Sequence, residues 1–382
     1  MDFKLTEEQE LLLGSIRELI ARDFPEEYFR SCDENHKFPT EFFTALAENG
    51  IALLGIPEEL GGIPADIMTQ MLVLEELAKA GAPAYILTIG QCIHNMLTFG
   101  NEEQLKLVAE SGLKGIPGYS LAITEPQAGS DNNRVATTYT RKNGKVYLNG
   151  QKTFITGALD YPYMLVMARN PEAEDPKRCF TLWMVDPHHT PGVKMNRLHK
   201  IGWHMVSNCE VFLDNVEVDE SAMVGKEGFG FIHVMQNFEI ERLVIASHTL
   251  GYAECAFEDA ARYANQRVQF NKPIGQFQMI QQKLTHMAIK IQNMKNMVYK
   301  TAWEADNGLP LRLSSSLVKI YCAQSSFEVI DDAMQIMGGI GYTDDARISR
   351  FWRDVRVNRI GGGTDEIMVY IAGRQILQQY AN

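Results

Sequence analysis

The sequence predicts an α+β chain built in three parts. These are an N-terminal all-α domain over 1–117, a middle β-sandwich or barrel over 118–228, and a C-terminal four-helix bundle over 229–382. Three observations predict it. Apolar residues recur at helical spacing from the start to about Gly115. Short apolar runs punctuated by Gly and Asn then replace that period. From about Gly230 the helical period returns. A chain of 382 residues, 45% hydrophobic and 22% charged, has ordinary globular composition, enough for two or three domains.

In chain order, Thr6 with Gln9 reads as a capping box, and Leu12, Ile16, Leu19 and Ile20 mark one face of the helix it opens. A second helix is expected from about Thr40 to the stop signal Asn49-Gly50. Gly55 to Pro64 is rich in Gly and Pro and reads as a loop. Helices are expected over about Asp66 to Lys79 and Ala84 to Phe99, with a short one opened by Asn101-Glu-Glu-Gln104. In the middle domain, Val135 to Arg141 and Lys145 to Leu148 flank the hairpin signal Asn143-Gly144. Asn149-Gly150 reads as another turn, leading into Lys152 to Thr156. Further strands are expected at Tyr163 to Ala168, Phe180 to Val185 and Glu210 to Leu213. In the last domain, Ile280, Leu284, Met287, Ile291, Met294 and Val298 form a bundle stripe, in which the methionines read as packing. Its other helices are expected over about 231–265, 313–337 and 364–380.

The totals exclude some functions. A net charge of −12 argues against nucleic acid as a partner, although local arginines and helix N-termini still suit a phosphate-bearing ligand. Six scattered cysteines without a C-x-x-C pair read as reduced thiols of a cytoplasmic protein, not as a disulfide frame or a metal site. The N-terminus shows no charged-then-apolar leader, and no apolar run or lipidation signal points to a membrane.

Several stretches carry chemistry only in combination. Glu241-Arg242, in Phe238-Glu-Ile-Glu-Arg-Leu-Val244, reads by itself as a solvated helix-surface pair. Gly361-Gly362-Gly363 reads as a loop, Thr124 to Asp131 as a surface turn, and Gly338-Gly339 as a helix end. Together they say more. Leu121-Ala-Ile-Thr-Glu-Pro-Gln-Ala-Gly-Ser-Asp131 and Asn149-Gly-Gln-Lys-Thr-Phe-Ile-Thr156 resemble the two β-domain signatures of the flavin-dependent acyl-CoA dehydrogenases. Gln266-Arg-Val-Gln-Phe270 with Gln278, and Gln335-Ile-Met-Gly-Gly-Ile-Gly-Tyr342, resemble the two bundle signatures of that family. The match runs from end to end in the right order. Within the family it looks closest to the enterobacterial subgroup that includes crotonobetainyl-CoA reductase.

The resemblance implies an FAD enzyme that interconverts an acyl-CoA and its trans-2-enoyl-CoA, exchanges electrons with an electron-transfer flavoprotein and forms a homotetramer. It implies that Leu121, Ile123, Thr124, Gly129, Ser130, Phe154 and Thr156 lie along the flavin, with Ser130 also touching the CoA chain. Phe154 stands where many members have Trp; it keeps the stacking surface and loses the indole donor. Arg267, Gln269, Phe270, Gln278, Gln335, Gly338 and Gly339 would hold the diphosphate and adenine end, partly from a neighbouring subunit. Thr364 and Glu366 would be further flavin contacts.

One departure concerns the base. Proton abstraction beside a thioester needs a carboxylate in a dry pocket and a donor on the thioester oxygen. Most members carry that carboxylate in a Tyr-Glu-Gly-Thr loop, and the glutamate position here is Gly362. A minority branch, including isovaleryl-CoA dehydrogenase, supplies it from a bundle helix just before an arginine. By that resemblance Glu241 is the base, Arg242 lies near the CoA arm, and the Gly362 N–H is the oxygen donor. Glu239 points about 200° away on the helix; Asp365 and Glu366 are rivals. Two other classes stay open: a non-catalytic acyl-CoA or flavin-binding member, and a structural complex-assembly protein.

Overall fold

The computed structural model describes residues 4–175 and 178–381. The first helix, α1 (Glu7–Asp23), opens on the expected capping box: Gln9 N–H donates to Thr6 Oγ1 and Thr6 N–H to Gln9 Oε1, both at 3.1 Å. A second helix, α2 (Glu26–Glu34), was not expected; it starts after Pro25 and buries Phe29 and Cys32. The next, α3 (Thr40–Glu48), ends at Asn49-Gly50, with Gly50 left-handed at φ 76°. Asp66 caps α4 (Ile67–Lys79), accepting from Thr69 N–H at 2.7 Å. The single helix expected over 84–99 is broken. A 3-10 turn covers Ala84–Ile86, Leu87 and Thr88 leave the helical path, and α5 (Ile89–Phe99) follows. The sixth, α6 (Glu102–Gly112), has its own capping box at Asn101 and Gln104.

The middle strands are β1 (Tyr119–Ala122), β2 (Thr138–Lys142), β3 (Lys145–Thr156), β4 (Tyr163–Arg169), β5 (Phe180–Val185), β6 (Val193–Arg197), β7 (Asn208–Val218) and β8 (Met223–Val224). They form one eight-stranded sheet ordered β6-β7-β3-β2-β4-β5-β8, with β1 paired to β4. Its two halves meet through a single pair, Thr138 with Arg169, and enclose one core of Tyr139, Leu148, Met164, Val166, Trp183 and Val211. The turn expected at Asn149-Gly150 is instead a bulge inside a continuous β3, because β7 pairs with both of its halves. Gly150 is there for close approach: a Cβ on it would stand 2.3 Å from Thr137 Oγ1.

Four long helices follow: α7 (Gly230–Gln266), α8 (Gln278–Asp306), α9 (Arg312–Met337) and, after the unexpected α10 (Arg347–Arg356), α11 (Asp365–Gln379). The bundle is built on α9, which packs against α7, α8 and α11. α7 is also covered by α4, so residues 242–256 are all buried and show no one-sided stripe. A Cβ on Gly251 would meet the Glu75 carbonyl at 2.2 Å, so glycine sets the α4–α7 approach. α10 buries Ile348, Phe351 and Val355 and adds polar anchors: Arg350 donates to both oxygens of Glu26 at 2.8 and 2.9 Å and to the Gly81 carbonyl at 3.0 Å.

Candidate active site

Glu241 sits on α7 where that helix passes between α5 and the Gly361–Gly363 loop. Gln91 on α5 places its Nε2 3.5 Å from Glu241 Oε2. On the other side, an ideal Cβ on Gly362 would stand 3.6 Å from Glu241 Oε1. A side chain at 362 would therefore be directed at the space the Glu241 carboxylate fills. Gly362 is left-handed at φ 64°, and none of the hydrogen bonds among the described residues uses its N–H. Burial pushes the Glu241 carboxyl up, against the opposing pull of Arg242, the Gln91 amide and Lys319. That is the direction a base for a weakly acidic carbon acid requires.

The loop is held from behind by two cations. Arg242, 4% exposed, directs Nε at the Gly362 carbonyl at 3.4 Å, a long contact. Lys319 on α9, fully buried, donates to the Gly363 carbonyl. Burial lowers the Lys319 ammonium to about 8. The rival carboxylates are placed otherwise. Asp365 is buried and accepts from Arg359 Nε at 2.7 Å and Gln324 Nε2 at 3.0 Å. Glu366 is exposed. Glu239 is half-buried, under the influence of Arg242 and Arg312. Thr364 caps α11, accepting from Ile367 N–H at 3.3 Å.

The expected flavin face lies at the β-domain. A register shift between Lys152 and Ile155 throws Phe154 outward, 66% exposed and at φ 59°, a strained angle for a bulky residue. Thr156 lies on the same strand, its Oγ1 accepting from Asn208 Nδ2 at 3.1 Å and so keeping its proton for another partner. Thr124 is half-buried, Gly129 and Ser130 are exposed, and a Cβ on Gly129 would meet nothing within 4 Å. An exposed aromatic ring with free hydroxyl donors beside it fits a flavin. Ile123 lies behind this face, its side chain 4% exposed and its carbonyl accepting from Lys152.

Sequence reasoning assigned no role to the pair that holds this loop. Lys152, fully buried, donates to Glu125 Oε1 at 2.8 Å and to the carbonyls of Ile123 and Met167 at 3.1 and 2.7 Å. Glu125 also accepts the N–H groups of Ala136 and Thr137 at 2.7 and 2.9 Å. Burial lowers the Lys152 ammonium to about 8, while Lys152 and the N–H donors hold the Glu125 carboxyl below its ordinary value despite its burial. The signal was in the quoted motifs, which contain both residues.

The remaining expected residues lie elsewhere. Arg267 is 26 residues beyond Glu241, about 39 Å away at 1.5 Å per residue had α7 continued straight through it. Arg267, Gln269, Gln278, Gln335, Gly338 and Gly339 are exposed, and Phe270 is 87% exposed. An ion pair between Lys283 on α8 and Asp332 on α9 brings Gln278 and Gln335 to one end of the bundle. One chain therefore does not bring these residues to Glu241.

Models of the acyl-CoA dehydrogenase N-terminal, middle and C-terminal domains match residues 6–111, 120–216 and 228–377. The chain belongs to the acyl-CoA dehydrogenase family. It is 68% identical to the probable acyl-CoA dehydrogenase YdiO of Escherichia coli K12, over the full length of both chains. Its fold matches the acyl-CoA dehydrogenase of Geobacillus kaustophilus at a TM-score of 0.92 and 29% identity, covering 98% of this chain and 100% of that one. It also matches butyryl-CoA dehydrogenase from Megasphaera elsdenii at 0.91 and 29%, over 99% and 100%. Like its family, the chain is an FAD-dependent oxidoreductase acting on CH–CH bonds.

Proposed function

We propose that the chain interconverts an acyl-CoA and its trans-2-enoyl-CoA with Glu241 as the base. The observation that carries this is the 3.6 Å between Glu241 Oε1 and the Cβ position on Gly362. The carboxylate occupies, from α7, the space that a glutamate in the loop would enter from the opposite side. A flavin held by the β-domain residues would supply the hydride exchange with the β-carbon. Glu241 takes the α-proton, or returns it in the reductive direction. The Gly362 N–H donates to the thioester oxygen and Arg242 lies on the CoA side. Thr124, Phe154 and Thr156 face the flavin ring, Ser130 lies at its phosphate or the CoA chain, and Thr364 and Glu366 lie near its edge.

The adenine end would rest on Arg267, Gln269, Phe270, Gln278, Gln335, Gly338 and Gly339 of a neighbouring copy. The length of α7 between Glu241 and Arg267, and the exposure of all seven residues, support a neighbouring copy at this end, as in a homotetramer of the family type. An electron-transfer flavoprotein is the proposed redox partner, and reduction of the enoyl-CoA is a direction to assay beside oxidation of the acyl-CoA. Among the described residues no helix is long and apolar enough to cross a membrane, and the six cysteines are buried and unbridged, as a reducing cytoplasm allows.

Glu241→Gln keeps the shape and removes the base. Flavin reduction by the active acyl-CoA, followed anaerobically, should slow by about 10²–10⁴. Near-normal reduction would reject Glu241 as the base.

A further inference from the structure

We propose that the acyl chain this site takes is short and carries a neutral hydrogen-bonding group, such as a hydroxyl or an amide, on its γ or δ carbon. The proposal rests on the reading of Glu241 as the base, which fixes where the α-carbon lies. The wall next to that carboxylate is polar. Gln91 and Asn95 are one turn apart on α5, and Asn237 is one turn before Glu241 on α7. Gln91 Nε2 donates to Asn237 Oδ1 at 3.1 Å, and Asn95 Nδ2 donates to the same oxygen. Asn95 Nδ2 also donates to Tyr119 OH at 2.7 Å.

This network does not close on itself. Asn237 Oδ1 accepts twice, while Asn237 Nδ2, Asn95 Oδ1 and Gln91 Oε1 enter no hydrogen bond among the described residues. Exchanging the two ends of any one amide moves the surplus without removing it. Asn95 and Asn237 are 5% and 6% exposed and Gln91 is half-buried, and the three unused ends are not sealed off, so a bound chain can reach them. Asn95 and Asn237 also border a small, mainly apolar cavity with Phe99, Leu121 and His233, which Gln91 and Glu241 do not line. An alkyl chain laid against Gln91, Asn95 and Asn237 would cover an unsatisfied donor and two acceptors, which is costly. A hydroxyl or amide both donates and accepts.

The charge pattern decides against an ionic tail. Arg242 and Lys319 face the Gly362 and Gly363 carbonyls on the loop side, so no cation of the wall is placed for a carboxylate tail. His233, stacked on Phe99 at 4.3 Å, is buried, and that burial makes its ring harder to protonate than usual. The wall's one carboxylate is Glu241, which the reaction itself uses. Asn237 lies about 5–6 Å along the helix from Glu241, the reach of a γ or δ substituent.

The test compares the FAD-loaded protein, anaerobically, with butyryl-, 4-hydroxybutyryl-, glutaryl- and γ-butyrobetainyl-CoA, and the reduced protein with their enoyl forms. The hydroxylated chain should lead butyryl-CoA by about tenfold or more in kcat/KM, as one hydrogen bond of ~1.4 kcal/mol provides. Asn237→Leu should erase that lead; Gln91→Met serves if that variant does not fold. Equal or faster turnover of butyryl-CoA, a lead for either charged chain, or a hydroxyl preference untouched by the variants overturns the proposal and leaves Glu241 as the base. No electron exchange with any chain in either direction rejects the reading of the base, and the proposal with it.

Discussion

The base can be moved back, and the structure sets the terms. Glu241→Ala should slow flavin reduction by about 10²–10⁴. Adding Gly362→Glu returns a carboxylate from a Cβ 3.6 Å from the present Oε1 position. Two obstacles oppose it. Position 362 is left-handed at φ 64°, which costs a residue with a side chain about 1–2 kcal/mol. The new Cβ would also lie 2.6 Å from Ile245 Cδ1, the free end of a side chain. Ile245→Val deletes that methyl at about 0.5–1.5 kcal/mol. These costs fall on stability, so the triple variant should unfold at lower denaturant yet recover at least tenfold of the lost rate. Gly362→Glu with Glu241 kept should do worse: two carboxylates about 4 Å apart repel by ~4 kcal/mol at an effective dielectric of 20. The assay is anaerobic stopped-flow bleaching of the flavin by the acyl-CoA that reduces the wild type. A folded, yellow triple variant no faster than Glu241→Ala would refute the claim that both positions serve one space.

Two further outcomes are expected. Lys152→Met strands the buried Glu125 carboxylate, which should cost about 3–5 kcal/mol and shed flavin; Glu125→Gln with Lys152→Met should be milder, read as denaturant midpoints in a double-mutant cycle. Lys319→Met removes a cation that favours ionised Glu241, so the pH limb of flavin reduction should move to higher pH. Lys319 itself binds its proton less tightly folded, at about 8, than unfolded, at 10.5. The unfolded chain thus holds more protons between those values, so the stability of the wild type should rise with pH through that window, and the variant should lose that rise.

Much of the fold was legible because its signals are local. Caps at Thr6, Asp66 and Asn101 and the turn at Asn143-Gly144 need only neighbouring residues. The misses need distant ones. Asn149-Gly150 has the sequence of a turn, and only pairing with β7 along its whole length makes it a bulge. α10 is rich in arginine, and its apolar positions Ile348, Phe351 and Val355 are few. Those three are buried against the core, and Arg350 adds an ion pair to Glu26, 324 residues away, which no local pattern reports. The site divides the same way. Motif residues such as Thr124 and Phe154 could be named from their own stretch. Gln91, Asn95 and Asn237 carry no motif, and their meaning appears only when α5 and α7 are side by side.

Glu241 and Gly362 show why neither stretch is readable alone. A glycine at 362, judged by itself, removes the residue the reaction most needs. A glutamate at 241, judged by itself, buries a carboxylate at a cost. Each is tolerable because of the other. With Glu241 present, a side chain at 362 would push a Cβ against Ile245 and direct its atoms at the carboxylate. With glycine at 362, the loop still offers its N–H, and Arg242, the neighbour of the base, steadies the loop through the Gly362 carbonyl. The helix thus supplies the proposed base and one of the loop's two anchors from adjacent residues. A carboxylate moved to α7 without Arg242 beside it would face a loop held by Lys319 alone. With Glu241 as the proposed base, it and its arginine form one unit, and the pair Glu241-Arg242, not the glutamate alone, marks the candidate site in the sequence.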